Sequence, residues 1–329
     1  MRTNWFRTIV VLTILALLGG ATGFTSLAHA AVPQAGSGPH ITVGGPQTES
    51  GPMRVVSPSA MGKLESLAAV EARQPSRAEI ERAAQVREMT SRSLARPEGD
   101  SAPTDASIIQ DAPVGPGMPA PIANFEGVGN VNGVLPPDTN GDIGWDPGTG
   151  TKYYMQWVNL SFQIWNVTNP AAPTSLYGPA AGNSLFTPLG GICASNNDGD
   201  PIVLFDQLAN RWMVSQFALG FPNNFHQCIA VSATANPTGA WYLYDFKTSS
   251  VKMNDYPHFG VWPDGYYMTV NQFNGSTFDW AGAGVAVFER DQMLAGLPAR
   301  MIYIDVGAVD INYGRSEERR VGKECRFRW

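Results

Sequence analysis

Glutamate almost vanishes from the centre of this chain: residues 121–314 hold only Glu126 and Glu289, against thirteen aspartates. Glycan hydrolysis in its usual form needs a proton-donating carboxyl with a carboxylate partner. The aspartates here fall mainly in turn-like stretches, so the composition argues against an enzyme. Basic residues are as scarce. Lys152, Lys247, Lys252, Arg211, Arg290 and Arg300 are the only six in that region, which leaves it at net −9. Phosphate binding needs clustered Lys and Arg, so this balance excludes a nucleic-acid partner and suits a cation, a carbohydrate or a surface protein. His226 and His258 are the only histidines there, too few for a His-based zinc site and without the neighbours of a Ser-His-Asp triad in the sequence. Nucleophile-elbow, phosphate-loop and dinucleotide glycine patterns are absent.

What the region does contain is a statement made three times. Asp142 opens "DIGWDPGTGTKYYMQWVN", Asp200 opens "DPIVLFDQLANRWMVSQF" and Asp255 opens "DYPHFGVWPDGYYMTVNQF". In each, an Asp precedes an apolar run, a second Asp in a turn and an aromatic-Met pair: Tyr154-Met155, Trp212-Met213 and Tyr267-Met268. The pairs are 58 and then 55 residues apart, the length of a four-stranded propeller blade with generous loops. Short β-rich runs are expected at 153–158, 162–166, 202–205, 212–217, 228–233, 241–245, 260–262, 266–271, 284–288 and 301–305, separated by turn clusters such as "NNDGD" and "NPTG". The fold class expected is all-β, a partial β-propeller of about three blades over 121–314 with Met155, Met213 and Met268 in equivalent buried positions.

The preceding residues are of other kinds. Residues 1–30 have the parts of a secretory signal peptide: Arg2 and Arg7, an apolar run from Ile9 to Leu18, and Ala28-His29-Ala30 before Ala31. That run is short for a ~30 Å hydrocarbon core, so the expectation is cleavage rather than an anchor, and a secreted or cell-surface protein without a transmembrane segment. Residues 31–120, rich in Pro, Gly, Ser and Ala, read as a low-complexity linker or pro-segment. One helix is expected in it, near 76–95, where Ser76 and Glu79 form a capping box and Ile80, Ala83 and Ala84 fall at helical spacing. With so few large apolar side chains it reads as loosely docked.

The phrases "GDPIVLFDQLANRWMVSQFA", "CIAVSATANPTGAWYLYDF", "NDYPHFGVWPDGYYMTVNQF" and "GAGVAVFERDQMLAG" resemble a group of secreted bacterial propeller-like proteins placed loosely beside the sialidase-like propellers. Those proteins often carry Ig-like or polycystic-kidney-disease-type modules further along the chain. The resemblance covers about 122–313 and implies relatives, not a chemistry. The aspartate-box signature of sialidases, Ser-x-Asp-x-Gly-x-x-Trp, is absent.

Candidate sites are few. In "PDTNGDIGWD", Asp138, Asn140, Asp142 and Asp146 offer oxygens that could wrap Ca²⁺, the one cofactor considered, with Asx-turn bonding as the alternative. "NNDGD", with Asn196, Asn197, Asp198 and Asp200, has the same chemistry. Export makes Cys193 and Cys228 candidates for a disulfide, buried free thiols being the alternative. Arg211, Arg290 and Arg300 are the only arginines that could gather around a sugar carboxylate. The functional expectation is an exported, non-enzymatic binding or adhesion module; the alternative is a secreted glycan hydrolase. Two carboxylates within about 10 Å of one another and a convergent Arg would favour the hydrolase. From Arg315 the chain turns basic, "RSEERRVGKECRFRW", and resembles a sequencing read-through tail. An interrupted propeller would leave its last sheet with an unpacked face.

Overall fold

The computed structural model describes residues 53–94, with side chains as far as 89, and residues 122–308. The expected signal peptide at 1–30 and the basic tail at 315–329 lie outside the described residues. In chain order the elements are β1 (Met53–Val56), β2 (Ala60–Leu64), helix α1 (Arg77–Leu94), β3 (Asn140–Trp145), β4 (Lys152–Val158), β5 (Ser161–Asn166) and β6 (Thr174–Ala181). A short helix α2 (Gly191–Ser195) leads into β7 (Ile202–Asp206), β8 (Arg211–Gly220), β9 (Asn224–Ser232), β10 (Trp241–Ser249), β11 (Lys252–Trp262), β12 (Gly265–Asn274) and β13 (Trp280–Phe288). Helix α3 (Arg290–Leu294) and β14 (Met301–Asp305) complete the fold.

The protein is all-β in its body, and every strand pairing is antiparallel. Strands β3 to β6 form the first sheet in sequence order, β7 to β10 the second and β11 to β14 the third. The second sheet gains β2 beside β10, and the third gains β1 beside β14. Among the described residues the sheets stay separate, and no strand pairing closes them into a ring.

All ten expected strands are present. Four more were not expected. β3 reads poorly as a strand because Gly141, Asp142 and Gly144 have low β propensity, yet alternation sends Asn140, Asp142 and Gly144 to the second sheet while Ile143 and Trp145 point the other way. β6 was missed for the same reason. β1 and β2 correct the expectation of a low-complexity linker over 31–120, because residues 53–89 are built into the body. Each strand adds to a sheet edge, where backbone pairing needs little apolar sequence.

Two apolar cores join the sheets. Between the first and second lie Met155, Trp157, Phe162, Phe205, Trp212 and the Cys193–Cys228 disulfide. The bridge has a Cα–Cα distance of 5.8 Å and ties α2 to β9, so the expected pairing is present. Gly144 allows this contact, since a Cβ there would overlap the Phe205 and Trp212 rings. Between the second and third sheets lie Met213, Tyr244, Phe246, Tyr266, Met268 and Phe288. Full burial of aromatic side chains of this size is worth several kcal/mol each against truncation.

Met155, Met213 and Met268 are all fully buried on the second strand of their sheets. Only two are equivalent. Met155 lies opposite Asp142 and Met213 opposite Leu204, both pointing toward the following sheet. Met268 lies opposite Phe259 and points back to the second sheet, and Tyr267, opposite Gly260, takes the equivalent position. The cause is the place of the pair in its strand. The β11–β12 hairpin turns over Pro263 and Asp264 between paired Trp262 and Gly265, and β7–β8 turns over the four residues from Gln207 to Asn210 between paired Asp206 and Arg211, so both loops are even and keep the phase. Met213 stands two residues after Arg211 but Met268 three after Gly265, and that one residue reverses its face.

Candidate functional site at the first-strand ends

The chain enters the first strand of each sheet by the same local bend. Asp138, Asp200 and Tyr256 precede β3, precede β7 and break β11 at matching positions, with φ of 44°, 47° and 50°. Left-handed backbone is uncommon outside glycine, and Asp and Asn tolerate it best. The structural repeat therefore aligns Asp138 with Asp200, not Asp142 as the sequence phrases suggest. Gly199, at φ 99°, could not carry a side chain, because a Cβ would meet the Asn159 amide and Arg87.

The guanidinium of Arg87, from α1, lies among these bends. Its Nη2 is 2.7 Å from Asp138 Oδ2 and also pairs with Asp200, and Asp255 adds attraction from the third sheet. Burial opposes its charge, but Asp200 and Asp138 outweigh that and strengthen its hold on the proton. Asn159 donates to Asp138 Oδ2 at 3.1 Å, and Asp200 Oδ2 accepts the Tyr256 N–H at 2.9 Å. Beside the cluster is a hollow of about 230 Å³ lined by Asp138, Asn140, Asp200, Ile202, Tyr256 and His258. The His258 ring meets Tyr256 edge to face at 4.3 Å.

Helix α1 corrects the expectation of a loosely docked element. Its capping box forms, with Ser76 N–H donating to Glu79 at 2.6 Å and Glu79 N–H to Ser76 Oγ at 3.3 Å. Ala83, Val86 and Arg87 are buried, whereas Ala84 faces solvent. Arg82 reaches Asp198 at 2.6 Å and donates to the Leu219 carbonyl. The buried ionic contacts of Arg87 and the part-buried one of Arg82 therefore supply what a thin apolar face could not. Arg87 shares a helix face with Ile80 and Ala83, spacings of seven and four, and that arrangement was the available sign of its role.

The proposed calcium ligands do not converge. Asn140 Oδ1 accepts from Val203 N–H and Asp142 Oδ2 from Phe205 N–H, both at 2.7 Å. These two side chains continue a hydrogen-bond ladder from β3 to β7. Asp146 Oδ1 accepts from Gly148 N–H at 2.8 Å in the turn after the strand, and Asp138 faces Arg87. The strand fans the four oxygens apart instead of wrapping them around one point. In the second acidic run, Asp198 accepts from Leu219 N–H at 2.7 Å and Asn197 donates to the Leu160 carbonyl at 3.0 Å. No group of three or more metal-ligating His, Cys, Asp or Glu side chains occurs among the described residues.

The three expected arginines are each engaged at home. Arg211 donates to the Ala209 and Asn210 carbonyls, Arg300 pairs with Glu289, and Arg290 makes a buried two-pronged contact with Asp206 at 2.7 and 3.0 Å. Tyr266 Oη also donates to Asp206 at 2.9 Å, and burial together with that carboxylate pushes its phenol well above the ordinary range. His226 has an acidic neighbour that sequence reasoning missed: its Nδ1 is 2.5 Å from Asp245, while Nε2 faces Asn224 at 2.9 Å where a triad would place a hydroxyl. The signal was cross-strand, since β9 and β10 pair with Asp245 opposite Cys228, two residues from His226.

No protein family, curated protein or solved structure matches this chain. Among the described residues no helix is long and apolar enough to cross a membrane.

Proposed function

We propose that this chain is part of an exported β-propeller that acts as a non-enzymatic binding or adhesion module outside the cell, its partner a carbohydrate or a surface protein. Three successive four-stranded meanders, each entered by the same left-handed bend, support the propeller reading. The carboxylates beside the hollow, Asp138 and Asp200, meet the arrangement named for the hydrolase, and what carries the binding reading instead is that both are taken up by the buried Arg87 guanidinium. A general acid has to be free to lend its proton to a leaving group, and a pair neutralised by an internal cation is not. The secretory expectation for residues 1–30 and the resemblance of the sequence phrases to secreted bacterial propellers support a location outside the cell.

The same geometry favours one second reading. Two carboxylates meet at one guanidinium beside a hollow that also holds His258 and Tyr256, the arrangement named above for a secreted glycan hydrolase. The experiment incubates the purified chain with isolated bacterial cell envelopes and, separately, with fluorogenic sialosides, galactosides and N-acetylglucosaminides. Co-sedimentation with the envelopes and no fluorophore release are expected. Release that Asp200→Asn abolishes would replace the binding reading with the hydrolase.

A further inference from the structure

Each strand residue faces either the sheet that follows or the sheet that precedes. Asp142, Gly144 and Met155 of the first sheet lead toward the second, whose Phe205 and Trp212 face back onto them. Leu204, Asp206 and Met213 lead toward the third sheet, whose Tyr266 and Met268 face back in turn. The third sheet has a leading face of the same kind, left open among the described residues. Trp262, in the position of Gly144 and Asp206, is 66% exposed, and Tyr267, in the position of fully buried Met155 and Met213, is 39% exposed. Cross-strand register puts Val287 beside Tyr267, and Ile304 and Met53 farther out on the same face.

The first sheet's trailing face is covered in part by Phe125 and Val128, which pack with Tyr154 and Trp165, and is open beside them. On its trailing face Ile143 is 59% and Trp145 49% exposed, next to a hollow of about 580 Å³ between Phe125, Tyr154 and Lys152. We infer that these two faces mate between two copies of this chain, the leading face of one third sheet covering the trailing face of the other copy's first sheet. Both internal junctions are built this way, so the contact continues an interface the chain already makes twice. Charge agrees with the placement. Asp264, which accepts from Tyr267 Oη at 3.0 Å, sits in the first hairpin of the third sheet, and Lys152 sits at the corresponding hairpin of the first. Two such contacts related by a two-fold axis bury both faces and close six sheets into one ring.

The inference rests on the propeller reading, but its test is independent of ligand binding. Sedimentation velocity on the full chain at about 10 µM should give twice the chain mass. Trp262→Asp and Ile143→Asp, both at exposed positions, should each raise the dissociation constant about 30-fold or more, as loss of an interface anchor does. Asp264→Lys and Lys152→Asp should each weaken the pair, and combining them should restore it, which a purely structural role would not do. A monomeric wild type, or a dimer unchanged by Trp262→Asp and Ile143→Asp, overturns the inference. A monomer that still sediments with envelopes rejects the pairing and leaves the binding module standing; a dimer that does not sediment with them does the reverse.

Discussion

The two junctions between neighbouring sheets do the same job with different chemistry. The first relies on apolar packing and side-chain-to-backbone hydrogen bonds: Trp212 and Phe205 pack on Gly144, Asn140 and Asp142 accept from β7 amides, and a disulfide lies within the core. The second places a buried ion pair, Asp206 with Arg290, inside an otherwise apolar contact, and Tyr266 bonds to the same carboxylate. An apolar junction tolerates gradual loss of contact. A buried ion pair does not, because removing one partner strands the other in a poorly solvating interior. Arg87 belongs to neither junction, and it holds the first-strand ends of the first two sheets together from outside.

That contrast sets the expected order of effects. Arg87→Met should cost the most, about 3–5 kcal/mol, since it leaves Asp138 and Asp200 facing each other without a cation; urea unfolding measures it, and a loss below about 1 kcal/mol would mean that α1 is not needed to hold the sheets. Asp206→Ala should cost nearly as much, about 3–5 kcal/mol. The double change Asp206→Leu with Arg290→Met should recover most of that, and a double variant as unstable as the single one would show that the second junction depends on the charges themselves. Reducing or deleting the disulfide with Cys193→Ser should cost about 2–4 kcal/mol, and hydrogen exchange should rise in the first two sheets and not in the third.

On the third sheet acid should act weakly, through Glu289. Burial alone would raise the Glu289 carboxyl, but the side-chain and backbone hydrogen bonds from Arg300 hold it below its ordinary 4.5. A depressed carboxyl gives stability that is present above the unfolded value and is lost as the pH falls through the folded one. Wild type and Glu289→Gln should therefore differ above pH 4.5, by a fraction of a kcal/mol for so exposed a pair, and converge below it. Calcium should have the smallest effect. Millimolar Ca²⁺ should leave the melting temperature unchanged, because Asn140, Asp142 and Asp146 already accept backbone donors; a rise would reopen the cation reading.

The all-β class, the ten expected strands and the disulfide were legible because alternation and turn chemistry are local. What was hidden depends on partners distant in sequence. Asn140 and Asp142 looked like metal ligands because an oxygen reads the same whether it meets a cation or the amide of a residue about sixty positions later. Arg82 and Arg87 were dismissed with the polar text around them, although their partners Asp198 and Asp200 lie over a hundred residues away. The shift of Tyr267 into the place of a methionine comes from one residue of extra strand between the turn and Met268, which repeat spacing alone does not resolve.

Strands β1 and β2 pair with β14 and β10, so residues 53–64 are fixed by strands that come far later in the chain. A chain emerging from the ribosome cannot seat Met53 until Ile304 has followed it, and cannot seat Leu64 until Trp241 is present. Until then the outer edges of the second and third sheets stay without these partners, open to any other extended peptide. Residues 53–64 thus act as a latch that closes only once β10 and β14 have been made. Its high sequence separation delays completion of the fold.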